Sequence, residues 1–481
     1  MSHRFTILSV ITLVTACGSP APSQSESSDY LYLWTGSADS TQPDFLAVLD
    51  VRLDADRYGE IVTTLPVPGL GNRPHHTEHE MPADGQLFAN GFRSGQTFIF
   101  DLSSPTSPRL AGQFGDLEGL SHPHSFLRLP GGNVLATFQM QHDSTGVLPG
   151  GLVEMTPGGQ VVRSSSANQP GIDPGLRVYS AGIVPPLDRI VTTTTDMDQD
   201  FPASRLVQIW RLSDLSLLHT ISLPDGPAGT EGLLSAEPRI LSDGRTVLVS
   251  TFSCGLYLME GLESDTPSAR LVASFPTKAN TACAIPVVSG DYYLVTVPAW
   301  SAVVALDISD PGHPREVSRL ILDADDGPHW ISLEPNGNRL VITGYQGMRH
   351  LVMIATFDRD EKVPGPGEPI APGWHLCYLH SYARRASLGE DGLPVEGGVL
   401  PPMPLPRRMY AGSTFSFDGD IRVGDKLRRE IEFSDIQLRG GGTGALLVTT
   451  QTRRIFTPRG LAVTEAANTV FREEVKAGAK S

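Results

Sequence analysis

Basic residues are scarce in this 481-residue sequence, which has 37 lysines and arginines against 53 aspartates and glutamates and a net charge of −16. Nucleic acids and anionic membranes bind basic surfaces, so this deficit argues against both as the main partner. Patterns typical of long helices are also few, whereas 49 glycines and 39 prolines are present. These features favour a β-rich, turn-rich protein, and the hydrophobic share of 40% is sufficient for a core.

The N-terminal apolar run, Phe5–Val14, is too short to cross a bilayer. Small residues follow it and precede Cys17, which resembles a bacterial lipoprotein signal. We therefore predict a signal peptide at residues 1–17, lipidation of Cys17 and a Ser/Pro-rich tether at residues 18–28. The protein would be exported to the periplasm or the outer membrane and would contact the membrane only through its lipid anchor. The alternative is an ordinary secretory signal with an incidental cysteine.

Cysteine is scarce as well, because only Cys254, Cys283 and Cys377 follow Cys17. In an oxidising compartment Cys254 and Cys283 can form a disulfide between neighbouring repeat units. Two buried free thiols are one alternative, and Cys283 as a soft metal ligand is another. The spacing of the cysteines alone does not separate these possibilities.

Strand-like segments recur from Tyr30 to Phe357 in units of four strands. Successive units are separated by about 45–60 residues, which is within reach of propeller repeats. The turn Asp101–Pro105 returns as Asp307–Pro311, a repetition that a β-sandwich would not explain. Six units and an N-terminal set of three strands predict a seven-bladed β-propeller at residues 29–357. The six units begin near His75, His124, Ser180, Glu237, Cys283 and His329.

Histidines stand at the start of three of these units. In a radial repeat the same position of each unit points at the same axis, so histidines that are distant in sequence can converge. Imidazole is a common metal ligand. We predict a metal site formed by His75, His76, His79, His124 and His329, with His122 as a weaker candidate. The alternative is that each histidine is structural and bonds to the backbone at the start of a blade. No Ser-His-Asp set can be singled out, so the catalytic residues stay unknown.

The pattern changes after Phe357. Residues 358–368 form a Pro/Gly-rich linker, and residues 369–473 carry no blade motif. Arg422–Asp435, Ala445–Phe456 and Gly460–Phe471 read as strands of an antiparallel sheet with a small helical insertion. Residues 474–481 are a tail.

Several motifs of the first region occur together: Pro43–Val51, Leu65–Pro68, the His75-His76 pair, His124 and the Asp307–Pro311 turn. They resemble the selenium-binding protein family, which includes bacterial methanethiol oxidases. The resemblance implies a seven-bladed propeller that binds copper through histidines and oxidises a small thiol to an aldehyde, sulfide and peroxide. Family members close the ring with a C-terminal segment that carries another histidine. Here the chain enters the linker instead, so we expect an incompletely closed propeller.

The C-terminal motifs are Pro372–His375, Leu388–Gly392, Leu400–Gly412, Arg422–Asp425 and Gly460–Glu465. They resemble the N-terminal half of MaoC-like dehydratases, of the mesaconyl-CoA hydratase and hydroxyacyl-thioester dehydratase type. The resemblance implies an α+β hot-dog domain that handles acyl thioesters and can have a hot-dog dimerisation partner. The catalytic pair of such enzymes is an aspartate followed five residues later by a histidine, and no histidine follows Asp391. We expect a non-catalytic half unless a second chain supplies the pair.

Three functions follow from these patterns. The first is an exported copper-dependent thiol oxidase that acts on a small thiol, and the second is a non-enzymatic propeller that binds another small molecule. The third is an acyl-CoA hydratase/dehydratase-like subunit that acts through the C-terminal region. A fusion of two truncated genes, or an error in the gene model, would explain why each resemblance is incomplete.

Overall fold

The computed structural model describes most of the chain from residue 29 onward. The described residues are 29–52, 55–144, 146–197, 204–276, 283–323, 326–334, 339–344, 352–357, 367–370, 372–373, 375, 404–441 and 444–473. The predicted signal peptide with Cys17, the tether, most of the linker and the tail lie outside them. The chain divides into two compact units, Met1–Asp360 and Glu361–Ser481, which we call the propeller unit and the C-terminal unit. Among the described residues, no helix is long and apolar enough to span a membrane.

The described part of the propeller unit contains seven antiparallel sheets, each built from strands that are consecutive in the chain. Sheets 1 to 4 are β1 (Tyr30–Thr35), β2 (Phe45–Asp50), β3 (Ile61–Pro66); β4 (Pro74–Thr77), β5 (Gln86–Gly91), β6 (Gln96–Asp101), β7 (Arg109–Phe114); β8 (Leu120–Arg128), β9 (Val134–Asp143), β10 (Gly146–Met155), β11 (Val161–Ser166); and β12 (Ala181–Val184), β13 (Arg189–Thr193), β14 (Leu206–Arg211), β15 (Leu217–Ser222). Sheets 5 to 7 are β16 (Ser235–Ile240), β17 (Val247–Thr251), β18 (Gly255–Glu260), β19 (Ser268–Ser274); β20 (Val287–Ser289), β21 (Tyr292–Val297), β22 (Ala302–Asp307), β23 (Arg315–Ile321); and β24 (Pro328–Leu333), β25 (Arg339–Gly344), β26 (Val352–Thr356). The prediction of a mostly β protein is confirmed.

Burial within a sheet follows the position of the strand. The second and third strands of sheet 2, β5 and β6, are buried along most of their length, so both of their faces pack against other sheets. The fourth strand, β7, alternates exposed and half-buried residues, as expected for a strand with one solvated face. Apolar side chains from neighbouring sheets meet between them, for example Leu135 and Leu152 of sheet 3 with Trp210 of sheet 4.

The turn that repeats in the sequence has the same hydrogen bonds in both places. The Asp101 carboxylate accepts from the backbone N–H of Ser103 at 3.0 Å and from the guanidinium of Arg109 at 2.6 Å. Asp307 accepts in the same way from the backbone of Ser309 and from Arg315, both at 2.9 Å. The aspartate therefore fixes the turn, and the arginine ties the turn to the following outer strand.

Polar side chains on the second strand of several sheets connect that sheet to the next. Thr137 accepts from the backbone N–H of Ser125 in its own sheet at 3.0 Å and donates to the Tyr179 carbonyl of the next sheet at 2.6 Å. Thr193 does the same between sheets 4 and 5, and Thr296 donates across to sheet 7. In sheet 2 the longer side chain of Asn90 takes this role. We call this arrangement the inter-sheet clasp.

Sheets 1 and 7 have three strands each in the described part of the chain, whereas the five sheets between them have four. Strand β1 contacts β4 in the way that second strands elsewhere contact the next inner strand, as β5 does with β8. Sheet 1 therefore begins at the second position, and sheet 7 ends at its third. The two sheets still meet, because the Arg339 guanidinium of sheet 7 bonds to the Val51 carbonyl beside sheet 1 and to Tyr58.

A disulfide joins Cys254, which follows β17, to Cys283, which precedes β20, with a Cα–Cα distance of 5.0 Å. Both cysteines are buried in the apolar cluster between sheets 5 and 6. This bond connects neighbouring sheets, and it leaves Cys283 no thiolate to offer a metal.

The described part of the C-terminal unit is a four-stranded antiparallel sheet. Its strands are β27 (Arg407–Phe417), β28 (Arg428–Gly441), β29 (Gly444–Thr457) and β30 (Gly460–Arg472), in the order β27-β30-β29-β28. Ile421, Ile455, Ala462 and Val463 form a small buried apolar core in this unit. The predicted helical insertion is not observed among the described residues of this unit.

Candidate metal centre

Three histidines converge at the inner strands of sheets 2 and 3. His75 and His76 lie on the short strand β4, and His124 lies on β8. One ligand atom from each of the three lies within 4.8 Å of the others. The closest pair is Nε2 of His75 and Nε2 of His124, which are 3.1 Å apart although the residues are 49 positions apart in sequence. Among the described residues this is the group whose geometry suits a metal ion.

His124 is held in one tautomer. Its Nδ1 is 3.0 Å from the carbonyl oxygen of Tyr179 and 3.1 Å from Oγ of Ser125. A carbonyl oxygen only accepts hydrogen bonds, so Nδ1 carries the proton and donates it. Nε2 is therefore left with a lone pair directed at His75. An orienting bond of this kind is what metal-binding histidines usually have on the ring nitrogen that does not bind the metal.

His76 is fully buried and is positioned by its backbone as well as its ring. Its backbone N–H donates to Oδ1 of Asn90 at 2.6 Å, as part of the inter-sheet clasp. Its ring Nδ1 lies 3.4 Å from Oγ of Ser125, and its Nε2 lies 3.4 Å from the hydroxyl of Tyr179. The His76 and His124 rings are 4.1 Å apart between centroids, so both belong to one compact group.

The environment keeps these imidazoles neutral. Burial, with the neighbouring His124, lowers the pKa of both His75 and His76 well below 6.5. Burial also lowers the pKa of His124 to about 3, partly offset by the bond to the Tyr179 carbonyl. Neutral imidazole is the form that binds metals, so at neutral pH no proton has to be removed from a cationic ring.

The separation of the histidine nitrogens also fits a metal ion. Two metal–imidazole bonds of about 2.05 Å that meet at about 100° hold their nitrogen atoms about 3.1 Å apart. This equals the distance between Nε2 of His75 and Nε2 of His124. Three neutral imidazoles form a donor set that suits copper and zinc. His75, His76 and His124 would therefore hold the ion, and the residues present fit it.

The two other predicted ligands are placed differently. Nε2 of His79 accepts a hydrogen bond from the Arg239 guanidinium at 3.2 Å, so that lone pair is already in use. The ring of His79 stacks on Trp330 with a centroid distance of 4.8 Å and an angle of 10°. His329 is close enough to affect His75 and His76 electrostatically, and burial lowers its own pKa to about 4. Neither His79 nor His329 belongs to the converging group found in the described residues.

His122, the weaker candidate, has a left-handed backbone with φ of 57°. Its ring lies 6.2 Å from that of Phe92, which also contacts His75 and His124. Phe92 thus forms an apolar wall beside the group, and His122 is outside it.

A buried ion pair lies next to His79. Glu237 is fully buried, and its Oε2 accepts from Oγ of Ser180 at 2.8 Å and from Arg239 at 2.7 Å. Its second oxygen, Oε1, has no hydrogen-bond partner among the described residues. The same Oε2 is 3.8 Å from Nε2 of His79. This pair adds a charged, polar side next to His79, with one carboxylate oxygen that has no partner among the described residues.

The sequence patterns did not identify Tyr179, Ser125, Glu237 or Arg239 as site residues, although Glu237 marks the start of a predicted unit. The signal that points to them is the register of the repeat. The carbonyls of Tyr179, Ala236 and His329 each accept the inter-sheet clasp from the preceding sheet, so these residues occupy corresponding positions. Tyr179 therefore occupies in sheet 4 the position that His329 occupies in sheet 7, and its ring lies against those of His76 and His124.

Comparisons with known proteins divide the chain in the same way. The family model for hydroxyacyl-thioester dehydratase type 2, a hot-dog domain, matches residues 373–481. A mesaconyl-C(4)-CoA hydratase from Chloroflexus aurantiacus is 34% identical over 123 residues, which are 26% of this chain and 44% of that protein. A methanethiol oxidase from Hyphomicrobium is 36% identical over 111 residues, 21% of this chain and 24% of the oxidase. The chain thus spans less than half the length of each of these relatives.

Solved structures match about two thirds of the chain. A hypothetical selenium-binding protein from Sulfolobus tokodaii has a TM-score of 0.55 at 17% identity, covering 66% of this chain and 83% of that one. A periplasmic gluconolactonase from Pseudomonas aeruginosa has a TM-score of 0.50 at 14% identity, covering 69% and 92%. At such identities these matches show the fold alone, which is propeller-like. Both resemblances predicted from the sequence are confirmed: to selenium-binding proteins with methanethiol oxidases, and to thioester hydratases.

Proposed function

We propose that this chain is an exported copper protein whose propeller unit oxidises a small thiol. The single observation that carries the proposal is the convergence of His75, His76 and His124. Nε2 of His75 and Nε2 of His124 are 3.1 Å apart. The sequence similarity to methanethiol oxidases supports the choice of substrate class and reaction. The proposal includes the predicted seven-bladed, incompletely closed ring, whose first and last sheets touch through Arg339 and share no strand among the described residues. It also includes lipidation of Cys17, with the periplasm or outer membrane as the location.

The reaction consumes a thiol, dioxygen and water and yields an aldehyde, hydrogen sulfide and hydrogen peroxide. Copper bound at the site would supply the redox chemistry that protein side chains lack. The chain itself contributes three neutral imidazoles, one of which is fixed by the Tyr179 carbonyl. Phe92 packs against His75 and Trp330 against His76, so aromatic rings border the site on two sides.

The polar side of the site suits the handling of a proton. A thiol must lose its S–H proton to become a good metal ligand and a good electron donor. In this proposal the proton passes to Oε1 of Glu237, whose other oxygen is held by Arg239 and Ser180. Arg239 also donates to the ring of His79, so Glu237, Arg239 and His79 are held in a fixed geometry by hydrogen bonds.

The test is an oxidase assay with the copper-loaded full chain and methanethiol. We expect sulfide and hydrogen peroxide to appear in equal amounts, and His76→Gln to lower the rate at least tenfold because one ligand is lost. His313→Gln is the matched control, since His313 lies in an exposed turn where its Nδ1 bonds to Asp310 at 2.9 Å. A copper-loaded chain that binds methanethiol but forms neither product would contradict the proposal.

A second function is favoured by the similarity of residues 373–481 to hydroxyacyl-thioester dehydratases. We propose that the C-terminal unit is an α+β hot-dog half that binds acyl thioesters without converting them. A dimerisation partner would then supply the missing acid–base pair. Incubation of the full chain with a short enoyl-CoA should give no hydration, and hydration by the chain alone would show that the unit is a complete enzyme.

A further inference from the structure

Tyr179 lies against two of the three histidines. It precedes β12, the inner strand of sheet 4, and is fully buried. Its ring centroid is 4.1 Å from that of His124 and 5.8 Å from that of His76. Its hydroxyl oxygen is 3.4 Å from Nε2 of His76. A polar oxygen thus accompanies the histidine nitrogens inside an apolar surround.

The position of this tyrosine is fixed from several sides. Its carbonyl accepts hydrogen bonds from Thr137 at 2.6 Å and from Nδ1 of His124 at 3.0 Å. Its backbone N–H donates to the carbonyl of Thr193 at 2.8 Å, and its ring packs against Phe252 at 5.7 Å. Because the backbone and the ring are both held, the hydroxyl is pre-organised at its place and needs no rearrangement to bind a ligand.

The contact between the hydroxyl and His76 has a separation that two ligands of one metal would show. Metal bonds of about 2.05 Å that meet at about 110° place their donor atoms about 3.4 Å apart. The observed distance from Oη of Tyr179 to Nε2 of His76 is 3.4 Å, which is long for a hydrogen bond from a hydroxyl group.

We propose that the phenolic oxygen of Tyr179 is a fourth ligand of the metal held by His75, His76 and His124. In forming this bond the phenol O–H bond breaks, an oxygen–metal bond forms, and the proton is released to the solvent. The inference rests on the metal site of the proposed function, but not on its oxidase activity. It adds a hard, electron-rich oxygen donor from sheet 4 to the nitrogen donors of sheets 2 and 3.

The opposing interpretation is that Tyr179 is a structural residue whose hydroxyl only donates to Nε2 of His76. The two interpretations predict different visible absorption spectra. A phenolate bound to copper(II) absorbs visible light through charge transfer from oxygen to metal, whereas a phenol beside a copper–imidazole site does not. The difference can be observed without any turnover of substrate.

The experiment is a titration of the full chain with copper(II), followed by visible absorption and by copper content after gel filtration. We expect a charge-transfer band that saturates at one copper per chain. Tyr179→Phe should still bind copper, with affinity lowered about tenfold or more, and should lose the band. Tyr293→Phe is the control, because Tyr293 is equally buried and lies in sheet 6, and it should keep both the band and the affinity.

The outcomes are separable. A wild-type chain that binds copper without the band, or a Tyr179→Phe variant that keeps the band, overturns this inference. A chain that binds no copper overturns the metal site and this inference together. A chain that shows the band but does not oxidise methanethiol supports the inference and contradicts the oxidase. If Tyr179→Phe does not fold, resonance Raman spectra of the wild-type copper complex decide instead, because excitation in the band should enhance tyrosinate ring vibrations.

Discussion

At the scale of single residues, His124 and His79 differ in whether the lone pair of Nε2 is available to a metal. His124 donates from Nδ1 to a carbonyl and keeps the lone pair of Nε2. His79 accepts from Arg239 at Nε2, so its lone pair is bound to a permanent cation. The same side chain is therefore prepared for a metal in one place and for a polar network in the other.

This difference predicts contrasting variants. His79→Gln should bind copper with an affinity within about threefold of the wild type, because the amide oxygen can replace Nε2 as the acceptor for Arg239. His75→Gln should lose at least tenfold, because an amide is a weaker copper ligand than imidazole. Competition with a copper chelator measures both. Equal losses in the two variants would place His79 among the ligands.

The neutral histidines also predict a pH dependence for the metal-free protein. The folded pKa of His124 is lowered to about 3 and that of His329 to about 4, against an ordinary value of 6.5. The unfolded chain therefore binds protons that the folded chain does not bind as the pH falls below 6.5. The free energy of unfolding should be highest above that pH and decrease by about 1.4 kcal/mol per pH unit for each such histidine.

Urea unfolding between pH 7.5 and 5 is the measurement. Carboxylates with lowered pKa values, such as Asp101 at about 2, stop stabilising the fold only when they are protonated at more acidic pH. The chosen window therefore excludes their effect on the free energy of unfolding. His124→Gln should show a shallower decrease than the wild type. A free energy of unfolding that stays constant across the window would contradict neutral, buried histidines.

At the scale of elements, the inter-sheet clasp connects the stability of the propeller unit to its site. Thr137 serves both purposes, because it accepts from the Ser125 backbone and donates to the Tyr179 carbonyl that also orients His124. Neighbouring sheets are thus joined by hydrogen bonds at the same depth as the histidines, and the ligands come from strands whose spacing is fixed.

Thr137→Val should lower the free energy of unfolding by about 1–3 kcal/mol, because the buried N–H of Ser125 loses its acceptor while the volume is kept. The midpoint of urea unfolding of the full chain gives the value. Thr266→Val, on an exposed loop, should change it by no more than about 0.5 kcal/mol. A similar effect of both substitutions would show that the clasp contributes nothing specific.

The disulfide between sheets 5 and 6 closes a loop with a sequence separation of 29. Cys254→Ala should lower the free energy of unfolding by about 3–4 kcal/mol, since a loop of this length restricts the unfolded chain appreciably. Cys377→Ala is the control, because it removes a cysteine side chain and leaves the Cys254–Cys283 disulfide in place. The denatured chain, alkylated without reductant, should carry no label on Cys254 or Cys283. Label on both would mean that the two thiols are free.

Much of the fold follows from the sequence for physical reasons, and part of the site does not. The starts of the inner strands at His75 and His124 were predictable because a repeat places equal positions on one axis. The Asp101 and Asp307 turns were predictable because aspartate bonds to the backbone two residues on. Tyr179 was not, because its role depends on distances between sheets that no local pattern encodes. The same is true of His79, whose partner Arg239 is 160 residues away.

At the scale of the whole molecule, one chain joins two units that resemble different protein families. The propeller unit carries the histidine group, while the C-terminal unit matches thioester dehydratases over residues 373–481. Residues 361–481 hold 16 lysines and arginines against 14 aspartates and glutamates, so the acidic excess of the chain lies in the propeller unit. A negative field around that unit attracts metal cations, which supports the propeller unit as the place of a metal-dependent activity.

The decisive measurement is the copper content of the full chain after loading with copper(II) and gel filtration. We expect one copper per chain, retained in His313→Gln, whose imidazole is exposed, and lost in His124→Gln. A chain that holds no copper, or one in which His124→Gln holds as much as the wild type, would contradict it.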